Sequence, residues 1–146
     1  MKKSAAILLF SFLIFGCREQ IKPSDITKIN GYWEIEYVVL SDGSKKDYTI
    51  NDSFDYFEIR GNQGFRTKVM PQLDGTFLTN DLKEGVKVVF AADNTYLEYQ
   101  TDYAKWKEEL LSLSATEMVL LTTDKKEFHY KKTGPINLDT YGKKTQ

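Results

Sequence analysis

Few residues in this chain could do acid–base, nucleophilic or metal chemistry. His129 is the only histidine and Cys17 the only cysteine among the 146 residues. His129 alternates with Phe128 and Tyr130, which places it on the opposite, solvent-facing side of a strand, whereas a general base must meet its substrate in a cleft. One histidine and one cysteine cannot form a Cys/His zinc site, and no calcium-loop or phosphate-loop spacing is present. The sequence therefore predicts a protein that is not an enzyme and uses no metal or cofactor.

The chain begins with a pattern typical of an export signal. Two lysines follow Met1, and an apolar run occupies residues 5–15. That run is too short to cross about 30 Å of hydrocarbon as a helix, which needs about 20 apolar residues. Residues 1–16 are therefore predicted to be a signal peptide.

Cys17 directly follows this run, in the sequence Ile14-Phe15-Gly16-Cys17. A small residue before a cysteine at this place resembles the lipobox of bacterial lipoproteins. In that family the thiol receives a diacylglycerol, cleavage makes the cysteine the first mature residue, and acyl chains such as palmitate hold the protein on a membrane. The resemblance implies that Cys17 is the lipidation site and that the protein lies in the bacterial cell envelope, anchored to the outer membrane on its periplasmic face or at the cell surface. The alternative is an unmodified cysteine in a soluble secreted domain.

The charge balance of the mature chain excludes one class of partner. Removal of residues 1–16 takes two lysines from the 20 basic residues and leaves 18 against 21 acidic ones, a net charge of about −3. Binding to nucleic acid depends on a basic surplus that displaces counterions from phosphates. The sequence thus predicts no nucleic-acid partner. With one cysteine there is no internal disulfide either, so a core alone must hold the domain together, which we expect to be a monomer.

The rest of the chain divides into three segments. Residues 17–28 are polar and contain Pro23, which predicts a lipidated tether, flexible at its start. Residues 134–146 are polar and rich in lysine, threonine and glycine, as expected of a C-terminal tail. The interval 29–133 has the length of one domain.

Apolar and polar residues alternate with period two through most of that domain, the pattern of half-buried strands. It predicts strands over 33–40, 54–60, 65–69, 75–78, 86–90, 96–100, 117–122 and 127–132. Residues 102–114 fit a helix or a strand, and a strand over 108–113 is favoured. Short hairpin connections require antiparallel pairing, and such sheets close into barrels or stack as sandwiches. The expected fold is an all-β, antiparallel up-and-down β-barrel of about eight strands.

The first strand opens with Asn30-Gly31-Tyr32-Trp33, and its Gly-x-Trp pattern resembles the start of the lipocalin family. In that family the tryptophan plugs the closed end of an eight-stranded barrel, and a basic residue of the last strand packs across the indole. The resemblance implies that Trp33 and Lys132 close the barrel. The layout of 29–132, with Leu-Ser-x-x-x-Met-Val-Leu before the last strand, is also similar to the lipocalin-like domains of bacterial lipoproteins. The alternative is that Trp33 is a core aromatic of another small barrel or sandwich.

A barrel of about eight strands can be filled by side chains or can hold one small ligand. The alternation places Arg66 and Lys68 outside and a set of apolar side chains inside. The predicted inward residues are Ile35, Tyr37, Val39, Phe57, Ile59, Phe65, Val69, Val88, Phe90, Leu97, Tyr99, Leu111, Leu113, Met118, Leu120, Phe128 and Tyr130. The aromatic ones among them that are predicted to bind a ligand are Tyr37, Phe57, Phe65, Phe90, Tyr99 and Tyr130.

The leading functional hypothesis is a non-enzymatic, lipid-anchored protein that binds a small hydrophobic or amphipathic molecule in the barrel mouth. The second is an envelope module that docks another protein through its outer β-surface, with Tyr32 or Trp106 as anchors. A hydrolase or isomerase has the least support, because no acid–base constellation is present.

Overall fold

The computed structural model describes residues 20–135 and consists almost entirely of strands. A short 3₁₀ helix, Pro23–Ile29, precedes nine strands. The strands are β1 (Gly31–Val39), β2 (Lys45–Asp47), β3 (Phe54–Arg60), β4 (Gln63–Pro71), β5 (Phe77–Ala91), β6 (Asn94–Gln100), β7 (Lys105–Leu113), β8 (Glu117–Leu121) and β9 (Glu127–Thr133). Cys17 and the predicted signal peptide (1–16) lie outside the described residues, as does the tail from residue 136 onward.

The strands form one antiparallel meander that closes on itself. Sequential neighbours pair from β3 to β9, β1 pairs with β3, and β9 pairs back onto β1. β2 is an additional short strand on the second half of β1. The predicted all-β, antiparallel up-and-down barrel of eight strands is confirmed.

The two ends of the barrel differ. The start of β1, the 3₁₀ helix and the turns that follow β3, β5 and β7 lie at one end, here called the closed end. The connections that follow β4, β6 and β8 lie at the other, here called the open end, together with residues 40–53.

Trp33 seals the closed end. Its side chain is 0% exposed, and its indole N–H donates a 2.6 Å hydrogen bond to the carbonyl of Ile29. Lys132, paired with Trp33 across β1 and β9, places its Nζ 5.0 Å from the indole centroid and donates to the carbonyl of Lys28 at 2.7 Å. Burial lowers the pKa of Lys132. The structure therefore has the contact between Trp33 and the last strand that the resemblance implies.

The segment before Trp33 corrects the expectation of a tether over 17–28. Residues from Pro23 onward form the 3₁₀ helix, and Ile26 and Ile29 are buried beneath the barrel. Because a 3₁₀ helix has three residues per turn, positions three apart share one side and both isoleucines face the core. Two apolar residues separated by polar ones are too few to form a recognisable hydrophobic period, so the sequence pattern did not indicate this element.

Side chains fill the interior toward the closed end. The buried core residues come from seven strands and from the 3₁₀ helix, so the core is continuous around the barrel; those that are fully buried come from five of these strands and from the helix. The largest fully buried side chains are Trp33, Tyr99, Phe57, Ile29, Leu97, Met118, Leu120 and Val88.

Two predicted elements change their extent. The second half of the predicted strand 75–78 and all of 86–90 belong to one 15-residue strand, β5, which begins at Phe77 and whose long pairing with β4 is interrupted by a bulge near Val69. The ambiguous region 102–114 is a strand, β7, as favoured, but it begins at Lys105. A bulge between Leu110 and Ser112 turns Leu110 into the core in place of Leu111.

We predict that Gly31→Ala destabilises the domain by about 1–3 kcal/mol, because Gly31 has a φ of +115°, where a side chain is strained. An added Cβ would also lie 3.2 Å from Cε of Lys132. Urea denaturation measures the loss. Gly134→Ala is the matched control, since a Cβ there meets open space. Equal stability of the two variants would contradict this explanation of the Gly-x-Trp pattern.

Candidate ligand-binding site at the open end

The six predicted ligand-binding aromatics do not share one surface. Phe57, Tyr99 and Tyr130 face the interior and are buried. Phe90 lies beside the turn after β5 at the closed end and is 41% exposed, because the strand there extends beyond the packed core. Tyr37 and Phe65 lie on the outer face, so their predicted inward orientation is wrong.

A bulge explains the position of Tyr37. The pairing of β1 with β9 shifts between Ile35 and Tyr37, so that Val38 takes the next inward position. Tyr37 instead stacks on His129 outside the barrel, with ring centroids 4.1 Å apart. His129 therefore lies on the side predicted for it, half-buried beneath an aromatic ring.

The turn after β3 explains the position of Phe65. Arg60 pairs directly with Gln63, so the hairpin has a two-residue turn, whereas the predicted strands 54–60 and 65–69 left four residues, 61–64, between them. This register places Arg66 opposite Phe57 on the inner face and Phe65 on the outer face. There Phe65 contacts Lys83, whose Nζ lies 4.3 Å from its ring.

Arg66 is the central residue of the site and was predicted to face solvent. It is 9% exposed, and its guanidinium lies 4.2 Å from the Tyr99 ring centroid and 5.9 Å from that of Phe57. Its Nε donates to Oε2 of Glu84 at 2.5 Å, and Nη1 lies 3.5 Å from Oε2 of Glu108. A buried guanidinium needs such partners, because an unpaired charge in a core is costly.

A second ion pair lies in the same part of the barrel. Asp55 is 2% exposed and accepts a 2.6 Å hydrogen bond from Nζ of Lys68. Lys68 pairs with Asp55 on the inner face, where its predicted outward position is wrong, although its side chain is exposed to solvent. Three carboxylates, those of Asp55, Glu84 and Glu108, thus stand against two cations.

Burial shifts the protonation of this cluster. Burial raises the pKa of Glu108, while the charge of Arg66 opposes that rise. Burial also raises the pKa of Tyr99 and of Tyr130 well above the ordinary value. For Arg66, burial works toward a lower pKa, but Tyr99, Asp55 and Glu84 outweigh it, so its pKa is raised and the guanidinium stays charged.

Two polar atoms of the cluster have no protein partner at hydrogen-bond geometry. They are the Tyr99 hydroxyl oxygen and Oε2 of Glu108, both of which are buried. The ring of Tyr99 stacks against Trp106, with centroids 5.2 Å apart and planes 11° apart. Trp106 is half-buried and packs against the core, at the border between the polar cluster and solvent.

Above this cluster the open end carries exposed apolar side chains. An open cleft of about 1290 Å³ extends over β5, β6 and β7; Glu84, Tyr99 and Trp106 form part of its wall, together with Leu82, Tyr103 and several exposed charged side chains of these strands. Most of the large, well-exposed hydrophobic residues of the described chain surround this end. They are Ile50, Met70, Leu73, Leu78, Leu82 and Tyr103, and they are here called the apolar rim. The site therefore combines buried charge below with apolar surface above.

The outer surface beside the rim holds an aromatic cluster. Tyr32 stacks on Phe77 at a centroid distance of 4.2 Å and lies 4.7 Å from Tyr56, while Phe54 and Phe77 make an edge-to-face contact at 6.4 Å. The β4–β5 hairpin thereby covers Tyr32, which is half-buried. Tyr32 is less available as a docking anchor than its position in the sequence suggests.

Within residues 20–135, no three His, Cys, Asp or Glu side chains are grouped to hold a metal ion. In the same part of the chain, no helix has the length and apolar character needed to cross a bilayer.

A small antiparallel barrel, plugged at one end by a buried tryptophan and open at the other over polar and apolar groups, is an architecture that can hold one small ligand in its mouth. The profile of the lipocalin-like domain family matches residues 29–120. The chain belongs to this family, as the Gly-x-Trp resemblance implied, and its fold is consistent with small-molecule binding.

Two solved structures are similar to this chain. A lipocalin-like protein from Bacteroides uniformis has 11% sequence identity and a TM-score of 0.46, and the match covers 73% of this chain and 99% of that one. An uncharacterized protein from Bacteroides eggerthii has 9% identity and a TM-score of 0.46, with 71% and 98% covered. No curated protein matches the sequence.

We predict that Arg66→Met destabilises the domain by about 3–5 kcal/mol, because it leaves buried carboxylates without their cation. Arg60→Met is the matched control: Arg60 pairs with Glu58 on the surface, where an ion pair contributes no more than about 1 kcal/mol. Urea denaturation measures both. The double variant Arg66→Met/Glu108→Gln should recover part of the loss, and a fully stable single variant would contradict the importance of the buried pairing.

We predict that Glu108 makes the stability depend on pH. Its pKa is raised in the folded state, so its contribution is fully present below the unfolded value of about 4.3 and is lost as pH rises through the folded pKa. Glu108→Gln should therefore flatten the fall in unfolding free energy as pH rises above about 4.3. Exposed Glu98→Gln is the control, and parallel curves for wild type and Glu108→Gln would contradict the assignment.

Proposed function

We propose that the protein is a lipid-anchored envelope lipoprotein whose barrel binds a small amphipathic molecule at the open end, without catalysing a reaction. The observation that carries this proposal is that the open end combines a charged surface with an apolar one. The Arg66 cluster lies inside the mouth, and the apolar rim lies around it. A ligand with a polar head and an apolar chain matches both at once. A purely apolar guest would leave the charged groups desolvated and unpaired, which is unfavourable.

The packed core limits where the guest lies. Phe57, Leu97 and Met118 are buried and fill the interior below Arg66. The ligand therefore occupies the mouth and the cleft and does not penetrate to Trp33. Its chain lies across Leu82, Tyr103 and their neighbours, where burial contributes about 25 cal/mol per Å² of apolar surface.

The cluster also favours one kind of head group. Oε2 of Glu108 and the Tyr99 hydroxyl oxygen are neighbours without a hydrogen bond of good geometry, and the carboxylates outnumber the cations by one. A head with an ammonium group supplies the missing positive charge, and its N–H groups can donate to the carboxylates. The preferred ligand is an amphiphile with a donor head.

The lipid anchor is the second part of the proposal. It is supported by the Gly16-Cys17 sequence after the export signal and by the absence of another cysteine from the sequence. Two or three acyl chains give stable attachment, since each buried CH₂ contributes about 0.8 kcal/mol.

The runner-up is a protein-docking module that uses the apolar rim as its contact surface. The exposure of Leu73, Leu78 and Tyr103 favours this over a docking site on Tyr32. Saturable binding of a small amphiphile at the rim would speak for the first function.

We predict saturable quenching or a spectral shift of Trp106 fluorescence when the Cys17→Ser chain is titrated with dodecylamine below its micelle concentration. Dodecanoic acid has a chain of the same length with a negatively charged head group, and we expect it to bind more weakly than dodecylamine. Glu108→Gln should weaken dodecylamine binding by about tenfold, equivalent to about 1.4 kcal/mol. Trp106→Phe should remove the signal, which identifies the reporter. No saturable change with either amphiphile would refute binding at the mouth.

A further inference from the structure

The chain enters the domain at the closed end of the barrel. Gln20 donates from Nε2 to the carbonyl of Ala92, in the turn after β5, at 3.4 Å. Ile21 then packs against the core, and the 3₁₀ helix continues beneath Trp33. The first described residues are therefore held at the end opposite the ligand mouth.

Only Arg18 and Glu19 separate Gln20 from Cys17. Consecutive residues of an extended chain advance by at most about 3.3–3.6 Å, so Gln20 lies within about 11 Å of the residue that would carry the acyl chains. The open end lies farther away, because strands of nine residues, tilted as in small barrels, give a height of roughly 20 Å. A tether of this length is too short for the domain to rotate until its open end contacts the membrane.

We infer that the closed end lies on the membrane and that the mouth faces away from it. This inference rests on the proposed lipid anchor at Cys17. The surface of the closed end therefore contacts the bilayer in which that anchor is inserted. Phe90, two residues before Ala92 and 41% exposed, is an aromatic side chain at this end, and aromatic rings prefer the interface between lipid and water.

The distribution of acidic residues agrees with this orientation. The connections at the open end carry six aspartates, among them exposed Asp42, Asp74, Asp102 and Asp124, against four lysines, a net charge of −2. An anionic leaflet repels such a surface within about 8–10 Å. These aspartates also stabilise their own turns, as Asp74 does by accepting hydrogen bonds from Thr76. Their charge therefore supports the orientation but is not its main cause, which is the short tether.

This orientation determines where ligand is exchanged. The mouth opens to the aqueous compartment, and a guest arrives from solution or from a carrier that faces the membrane. A lipid of the anchoring leaflet cannot reach the Arg66 cluster without first leaving that leaflet. The anchored domain therefore samples molecules in the aqueous space beside its membrane.

The test uses the full lipidated chain, reconstituted in vesicles of phosphatidylethanolamine and phosphatidylglycerol that contain a lipid with a head-group quencher. Because acylation occupies the Cys17 thiol, one introduced cysteine can be labelled with a fluorophore. Ala115→Cys reports on the closed-end turn after β7, and Tyr103→Cys reports on the open end, where Tyr103 is 97% exposed. We expect strong quenching at residue 115 and little at residue 103; equal quenching, or the reverse, would overturn the orientation.

A linker variant tests the cause. Insertion of about 20 Gly and Ser residues after Arg18 gives a flexible tether of about 25 Å, which should abolish the difference between the two labels. A difference that persists unchanged would overturn the short tether as its cause. Flotation of the vesicles is measured first: wild type that does not float, like Cys17→Ser, refutes the anchor itself. Ligand binding by the Cys17→Ser chain is a separate readout, so a failure of the mouth site is distinguished from a failure of the orientation.

Discussion

Seven residue pairs join β1 to β9, and this ladder converts an open meander into a closed barrel. Closure removes the free edges on which a sheet of this size would otherwise associate with other chains. It also brings Lys132 opposite Trp33 and Tyr130 opposite Ile35, so that the plug and the interior are assembled from the two ends of the domain. The plug, the core and the mouth all depend on this non-local pairing, because neither terminal strand alone has a surface on which to pack.

The buried charge in the mouth is the costly feature of this fold. Removing a guanidinium and two or three carboxylates from water is compensated only when their geometry satisfies them, and replacement by apolar side chains is often neutral or favourable for stability. Arg66 is placed between two acidic neighbours and two aromatic rings, an arrangement that holds the guanidinium in one position. A ligand site needs that kind of fixed polar group more than a core does.

Period-two alternation was sufficient to predict the all-β class, the antiparallel barrel and the place of Trp33. It gave the wrong side of the sheet for Phe65 and Arg66, because the side depends on how many residues form the turn between β3 and β4. Reading Gly61-Asn62 as the entire turn, a pair typical of two-residue hairpins, would have placed Arg66 beside Phe57. Instead, the apolar character of Phe65 decided its side. No local signal marks the bulge before Tyr37 or the one near Leu110, since a bulge depends on the partner strand. The Arg66 cluster therefore could not be predicted, because its members come from the five strands β3 to β7 and meet only after closure.

The two first strands of the barrel are joined more loosely than the others. β1 pairs with β3 only through Gly31, Tyr32 and Trp33, near the plug. Toward the mouth, β1 is covered by the three residues of β2, and the Asn51 side chain, instead of a strand, donates to the carbonyl of Ile35. With only three ladder pairs between these two strands, local opening along this seam is expected to require less free energy than along the fully paired seams. Such an opening would widen one side of the mouth while the plugged end, where the three pairs lie, kept its shape.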